Sequence, residues 1–342
     1  MTLLKWCLRA ILLCATLAAI GSAWLYNQIT SPLPISEQQT FEVKAGDTSF
    51  QLANSLYQQG LIDTPWLLRV AAKLQPEWVP KVGKYALQHP MNLLDVMALL
   101  DSGKAIFHSV TLLEGHTTKE FIKALAATGK IEMTLEGLSN AEIAEQLALS
   151  AKHAEGMFFA NTYRYHEGDT DVQILTRANK LLEKHLEDNW QNKAKGLPYK
   201  SAYEALIMAS IVEKETAAPD ERPLISRVFI SRLEKNMRLQ TDPTVIYGLG
   251  DSFNGNLTRK SLRDTSPYNT YRHFGLPPTP IANVGKEAIE AALHPGVTKA
   301  LYFVAKGDGT HAFSNSLKEH NAAVKAYQFK RRTDYRSTPK AE

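Results

Sequence analysis

The sequence predicts an α+β protein in three parts: an N-terminal transmembrane helix, a small α/β module and a larger mixed α+β domain. Three observations predict it. An uncharged apolar run follows Lys5 and Arg9. Short strand-like segments then alternate with helix-period segments up to about residue 105. Beyond residue 116 helical periodicity dominates, broken by two aromatic loop-rich stretches and closed by a strand–turn–strand. The expected boundaries are 1–30 for the cytoplasmic tip and anchor, 31–105 for linker and module, 106–330 for the large domain and 331–342 for a tail.

Composition narrows the function classes. With 44% hydrophobic and 22% charged residues, the body is that of a folded soluble domain. Lys5 and Arg9 account for two of the four net positive charges, so the remainder is 37 basic against 35 acidic residues. That balance gives no support for a nucleic-acid partner, which would need a basic patch or stripe. Both cysteines, Cys7 and Cys14, lie in the N-terminal run. A disulfide framework, a catalytic thiol and thiolate metal sites are thereby excluded from the body.

Ala10–Tyr26 carries no charge and, as a helix, spans about 26 Å, at the short end for a bilayer crossing. Trp6, Trp24 and Tyr26 suit the two interfaces, and the basic flank predicts a cytoplasmic N-terminus with the body outside the inner membrane. Gly21-Ser22-Ala23 also suits cleavage of a signal peptide. A lipoprotein signal at Cys14 fits poorly after Leu13, and a buried core helix is the remaining alternative. Every export reading leaves the body extracytoplasmic.

After a linker with Pro32 and Pro34, Phe41–Val43 reads as a strand and Lys44–Asp47 as a turn. Thr48–Gln59 reads as a helix capped by Asp47 or Thr48. Pro65 opens a helix to about Leu74. Tyr85–Leu87 is a returning strand, Leu93–Leu100 a helix stopped at Ser102-Gly103, and Phe107–Leu112 a strand. Val43, Gly46, Asp47, Thr48, Leu52, Ala53 and Leu56 resemble a LysM-like module, a family that binds glycans containing N-acetylglucosamine. The alternative is a module that only spaces the large domain from the membrane.

Thr117–Ala126, Asn140–Ala148 and Asp171–Glu187 are amphipathic helices. The aromatic segment Glu155–Tyr165 is read either as the lining of a carbohydrate groove or as packing. Ser226–Asn236 is a helix. The stretches 237–250 and 266–280 are loop-rich, polar and aromatic, the texture of a site built on loops. Lys286–Leu293 is a helix, Ala300–Val304 a strand, Lys306–Gly309 a turn, His311–Phe313 the return strand and Leu317–Phe329 the last helix.

The most informative residue is Glu215, in the helix Ala202–Thr216. Met208, Ile211 and Val212 share its face at about 100° per residue. A carboxyl against an apolar wall holds its proton more tightly, the requirement for a general acid at neutral pH. Glu213 points about 160° away by the same helical geometry, so a two-carboxylate glycosidase on this helix is disfavoured. The alternative is a salt bridge from Glu215 to Arg222, Arg227 or Arg232. In the loops, Gln240, Asp242, Asn269 and His311 are candidate hydrogen-bonding residues for sugars. Tyr247, Tyr268 and Tyr271 are candidate stacking rings. Scattered histidines without an H-x-x-x-H element argue against metal, and Ser210 lacks a nucleophile elbow.

Five long runs carry a resemblance over nearly the whole chain: ASIVEKET (209–216), ERPLISRVFISRL (221–233), MRLQTDPTVIYG (237–248), SPYNTYRHFGLPPTPIAN (266–283) and YFVAKGDGTHAFSNSLKEHN (302–321). They resemble the endolytic murein transglycosylase family, formerly YceG-like. The resemblance implies a single-pass inner-membrane enzyme that cuts nascent peptidoglycan strands in the periplasm without a cofactor or metal. Glu215 matches the family's catalytic glutamate, acting as acid and then base to leave a 1,6-anhydromuramyl end. Gln240, Asp242, Tyr247, Asn269, Tyr271 and His311 are the expected substrate contacts. The membrane tether and spacer module suggest glycan synthases or division proteins as protein partners. Ala160-Asn161 and Thr279 depart from the family's usual Pro-Asp pair and glycine. A non-enzymatic, membrane-tethered glycan-binding or scaffold protein is the alternative function.

Overall fold

The computed structural model describes residues 2–36, 39–216 and 218–329. The expected tail, 331–342, lies outside the described residues. The chain divides into two compact units, one ending at His108 and the other beginning at Ser109. Among the described residues secondary structure is mixed, with strands paired only two by two. The fold is thus α+β.

The first unit opens with α1 (Thr2–Thr30), of which Lys5–Thr30 is long and apolar enough to cross a membrane. Twenty-six residues of helix extend roughly 39 Å, longer than the uncharged run alone suggested. Most of α1 is exposed, whereas Ile29 joins the core of the unit. That core lies between an antiparallel pair, β1 (Thr40–Val43) and β2 (Gly83–Ala86), and three helices, α2 (Ser49–Gln58), α3 (Trp66–Leu74) and α4 (Leu93–Ser102). The residues behind the LysM-like resemblance do identifiable folding work. Val43, Leu52, Ala53 and Leu56 are buried core residues. Gly46 takes φ +85°, the left-handed region that favours glycine. Asp47 accepts the Lys44 N–H at 2.7 Å. Thr48, not Asp47, is the N-cap of α2, forming a capping box with Gln51.

The second unit has two apolar clusters. One is built by β3 (His108–Leu112), α5 (Thr118–Ala126), α6 (Asn140–Gln146), β4 (Asn161–Tyr165) and the near half of α7 (Asp171–Gln191). Capping boxes at Thr117, Ser139 and Thr170 start these helices where the sequence placed them. The aromatic segment packs inward. Phe158, Tyr163 and Tyr165 are buried in this cluster and Phe159 in the next, so these rings line no groove. Asn161–Tyr165 pairs with β3 as a strand, an element the periodicity did not suggest.

The other cluster surrounds α8 (Ala202–Glu215), which packs against α9 (Arg222–Glu234) and α11 (Lys286–Leu293). α9 starts four residues earlier than expected because Pro223 occupies its first turn, where a missing N–H costs nothing. α10 (Asp242–Leu249) starts at Asp242-Pro243 for the same reason, where the sequence suggested a turn. The hairpin β5 (Tyr302–Ala305) and β6 (His311–Ser314), with α12 (Leu317–Tyr327), completes the unit.

Candidate active site

Ser201 caps α8, its Oγ accepting the Glu204 N–H at 3.3 Å. From Ala205 to Val212 every residue of α8 is buried. The helix is therefore enclosed on all sides through its middle. Met208, Ile211 and Val212 belong to that apolar column, not to a single stripe.

The last turn of α8 sends three side chains to three different places. Glu213 turns inward and meets Arg222 Nη2 at 3.2 Å, while its other oxygen accepts the Gly285 N–H at 3.0 Å. Lys214 Nζ donates to the Gly115 carbonyl at 3.0 Å. Glu215 Oε1 accepts the Thr241 hydroxyl. The salt-bridge alternative thus goes elsewhere: Arg222 pairs with Glu213 and Arg227 with Glu234. Arg232 donates from Nε to the Leu301 carbonyl at 2.8 Å and from Nη1 to the Leu239 carbonyl at 2.6 Å. Among the described residues no cation lies within ion-pair distance of Glu215.

Thr241 is held from behind. Its N–H donates to Thr270 Oγ1 at 3.1 Å, and Thr244 Oγ1 donates to its carbonyl at 2.8 Å. Thr244 and Thr270 hydroxyls bond each other at 2.8 Å. This buried threonine group ties the start of α10 to the proline-rich loop 266–280 and fixes the hydroxyl that reaches Glu215.

Glu215 stands at a cavity of about 410 Å³. The residue keeps partial exposure along the cavity wall, but its carboxyl group is enclosed by protein. Burial pushes its pKa up to about 7. The Thr241 hydrogen bond pulls it down, Asp242 raises it further, and the Arg232 charge lowers it. The carboxyl can therefore both hold and release a proton near neutrality.

Of the predicted contacts, the structure brings Gln240, Asp242 and Tyr271 to this cavity with Glu215. Gln240 holds φ +50°, at a sharp bend before Thr241. Tyr271 Oη donates to Asp242 Oδ1 at 2.7 Å. Asn269, Tyr247 and His311 lie off the cavity, and each is already engaged. Asn269 is fully buried; its Nδ2 donates to the Leu262 and Asp264 carbonyls, and its Oδ1 accepts the Tyr271 N–H at 3.0 Å. It braces the loop that presents Tyr271. Tyr247 stacks edge-on against Tyr268, with centroids 4.8 Å apart. His311 Nδ1 lies 2.7 Å from Glu221. Thr279, the departure noted in the proline-rich loop, bonds Tyr268 Oη at 2.8 Å.

Sequence reasoning missed Thr241, Tyr302 and His320 as cavity residues, and weighed Arg232 only as a salt-bridge partner. Tyr302 lies 5.1 Å beneath the Arg232 guanidinium and stacks on His320 at 5.2 Å. No local pattern marks these residues, since α9, β5 and α12 converge only in the folded unit. Among the described residues no group of three or more metal-ligating side chains is placed to hold an ion.

Fold and cavity define the class: an α+β protein behind one apolar N-terminal helix, with an enclosed, proton-holding carboxyl on the cavity wall of its second unit. A YceG-like family model matches residues 41–326. The endolytic murein transglycosylase of Bacillus subtilis is 31% identical over 333 residues, covering 90% of this chain and 91% of that protein. The endolytic murein transglycosylase of Streptococcus pneumoniae strain D39 is 27% identical over 348 residues, covering 91% of this chain and 63% of that protein. The crystal structure of a YceG-like protein from Listeria monocytogenes superposes with a TM-score of 0.53 at 30% identity, over 84% of this chain and 98% of that one. The chain belongs to the YceG-like, endolytic murein transglycosylase, family.

Proposed function

We propose that this chain is an endolytic peptidoglycan lytic transglycosylase with Glu215 as its single acid and base. The observation that carries the reading is the enclosed Glu215 carboxyl, with its pKa pushed up to about 7 at a cavity wall and, among the described residues, no cation paired to it. Thr241 occupies Oε1, which leaves Oε2 as the oxygen that carries the proton. In the proposed reaction Glu215 gives that proton to the bridging oxygen of the β-1,4 bond between N-acetylmuramic acid and N-acetylglucosamine. The bond from that oxygen to muramyl C1 breaks, with the muramyl acetamide assisting. The Glu215 carboxylate then takes the proton of the muramyl C6 hydroxyl as O6 bonds to C1. The muramyl end closes as a 1,6-anhydro sugar and the acid is restored, so no partner carboxylate, metal or cofactor is consumed. Asp242, Tyr271 and Gln240 line the space the sugars occupy.

In this reading α1 anchors the protein in the inner membrane with the basic N-terminus in the cytoplasm, and the body works in the periplasm on nascent strands, limiting their length. Residues 31–105 act as a LysM-like module. Residues 106–330 form the catalytic domain and meet glycan synthases or division proteins. The length and apolarity of α1 support the anchor.

Product analysis tests the reading. The full-length protein is incubated with uncrosslinked glycan strands and the fragments are weighed by mass spectrometry. Muramyl ends lighter by one water, absent with Glu215→Gln, are expected. Hydrated reducing ends alone would point to a hydrolase. Binding without cleavage would favour the non-enzymatic scaffold.

A further inference from the structure

Arg232 is an unusual occupant of the cavity wall. It is buried, at 7% exposure, yet among the described residues no carboxylate lies within ion-pair distance of it. A guanidinium is normally buried only with a counter-charge. Nε and Nη1 are spent on the Leu301 and Leu239 carbonyls, which fixes the plane of the group. Nη2 has no protein acceptor among the described residues. It is also not one of the sealed, partnerless side-chain atoms, which are Arg222 Nε, Ser226 Oγ and His320 Nδ1. It therefore keeps accessible surface, and Arg232 lines the cavity together with Glu215.

The surrounding charges give that opening a sign. His320, on the same wall, is biased to its neutral form by burial and by Arg232. Asp242 is the cavity's exposed carboxylate and is engaged by Tyr271. An anion entering the cavity is attracted by Arg232 and repelled by Asp242. A rigid guanidinium fork with a free amino group suits a carboxylate.

We infer that Arg232 binds a carboxylate carried on the muramyl side of the strand, and so sets which of the two alternating glycosidic bonds lies at Glu215. This inference rests on the function proposed above. Muramyl residues bear a 3-O-lactyl group that their neighbours lack. Its carboxyl is free on peptide-free strands and amide-linked on strands that carry stem peptides, whose own carboxylates are the second source of the same chemistry. Arg232 is thus a specificity-determining residue.

The test is equilibrium binding to the full-length Glu215→Gln protein in detergent, so that nothing turns over. The probes are peptide-free glycan oligomers, the same oligomers with the lactyl carboxyl methyl-esterified, and strands with stem peptides. The free acid should bind about tenfold or more tighter than the ester, and the preference should shrink with salt. Adding Arg232→Gln should abolish it, and Arg232→Lys should restore part of it. Peptide-bearing strands that bind as the free acid does, and depend on Arg232, identify a stem-peptide carboxylate as the source. Strands that bind as the ester does identify the free lactyl group. Equal binding of acid and ester overturns the inference even if Arg232→Gln does not fold, and so does a preference that survives Arg232→Gln. Acid preference in a chain whose Glu215 form never cleaves would sink the proposed function and leave this inference standing. Cleavage without acid preference would do the reverse.

Discussion

Replacing Glu215 with glutamine should make the protein more stable at neutral pH. In the unfolded chain the carboxyl ionises around its ordinary value of 4.5, whereas in the folded unit burial holds the proton to about 7. Between those values the folded state binds the proton that the unfolded state has lost, so stability falls as pH rises and levels off above about 7. The difference corresponds to roughly 3 kcal/mol at pH 8. Glutamine cannot ionise and keeps an oxygen for the Thr241 hydroxyl. Wild type and variant should therefore match near pH 4 and diverge up to pH 8. For a unit of this size the gap corresponds to about 6–12 °C in melting temperature. Scanning calorimetry of both proteins from pH 4 to 8 measures it. Parallel curves, or a less stable variant at pH 8, would refute the claim that the fold burdens itself to keep this carboxyl protonated. Glu155, buried and pushed up to about 7 chiefly by burial, adds to the same trend in wild type.

Two neighbours should move the pH profile of cleavage in opposite directions. Asp242→Asn removes a charge that helps Glu215 keep its proton, so the alkaline limb should shift to lower pH. Thr241→Val removes a hydrogen bond that favours the carboxylate, so the limb should shift to higher pH; equal shifts in one direction would contradict the site geometry. Glu213→Ala leaves buried Arg222 with only the looser Glu114 contact at 3.8 Å and the Gly285 N–H without its carboxylate. A loss of about 1–3 kcal/mol is expected in denaturant unfolding; no measurable loss would show that the pair is not structural. Gly156→Ala should destabilise by about 1–3 kcal/mol, because φ is +74° and an added Cβ would sit 2.3 Å from Pro280 Cβ. A melting temperature equal to wild type would show that the loop and Pro280 can move apart.

How much of this could be read beforehand depends on the distance over which each signal acts. Caps at Thr48, Thr117 and Thr170 are settled within four residues, and those helices begin where the sequence indicated. The opposite rotation of Glu213 and Glu215 is also local, and they do reach different elements. The apolar-face argument for Glu215 was incomplete, because a helix buried all round has no single face to read. The start of α10 was hidden by an Asp-Pro pair that serves turns and helix N-termini equally. Asn269 and His311 show the limit for polar candidates. A side chain able to bond a sugar is equally able to bond a backbone carbonyl or a glutamate, and only the fold shows that these two are committed. Arg232 carries no pattern at all, since its meaning comes from carbonyls in two other segments.

Glu215 is the last residue of α8, and that address has an electrostatic consequence separate from the cavity. The final carbonyls of a helix present a partial negative charge, which disfavours an anion there by about 0.3–1 kcal/mol. Part of the proton's retention therefore comes from backbone dipoles that no side-chain substitution removes. Exchanging the side chains that line the cavity from other elements therefore leaves this share of the Glu215 proton affinity in place.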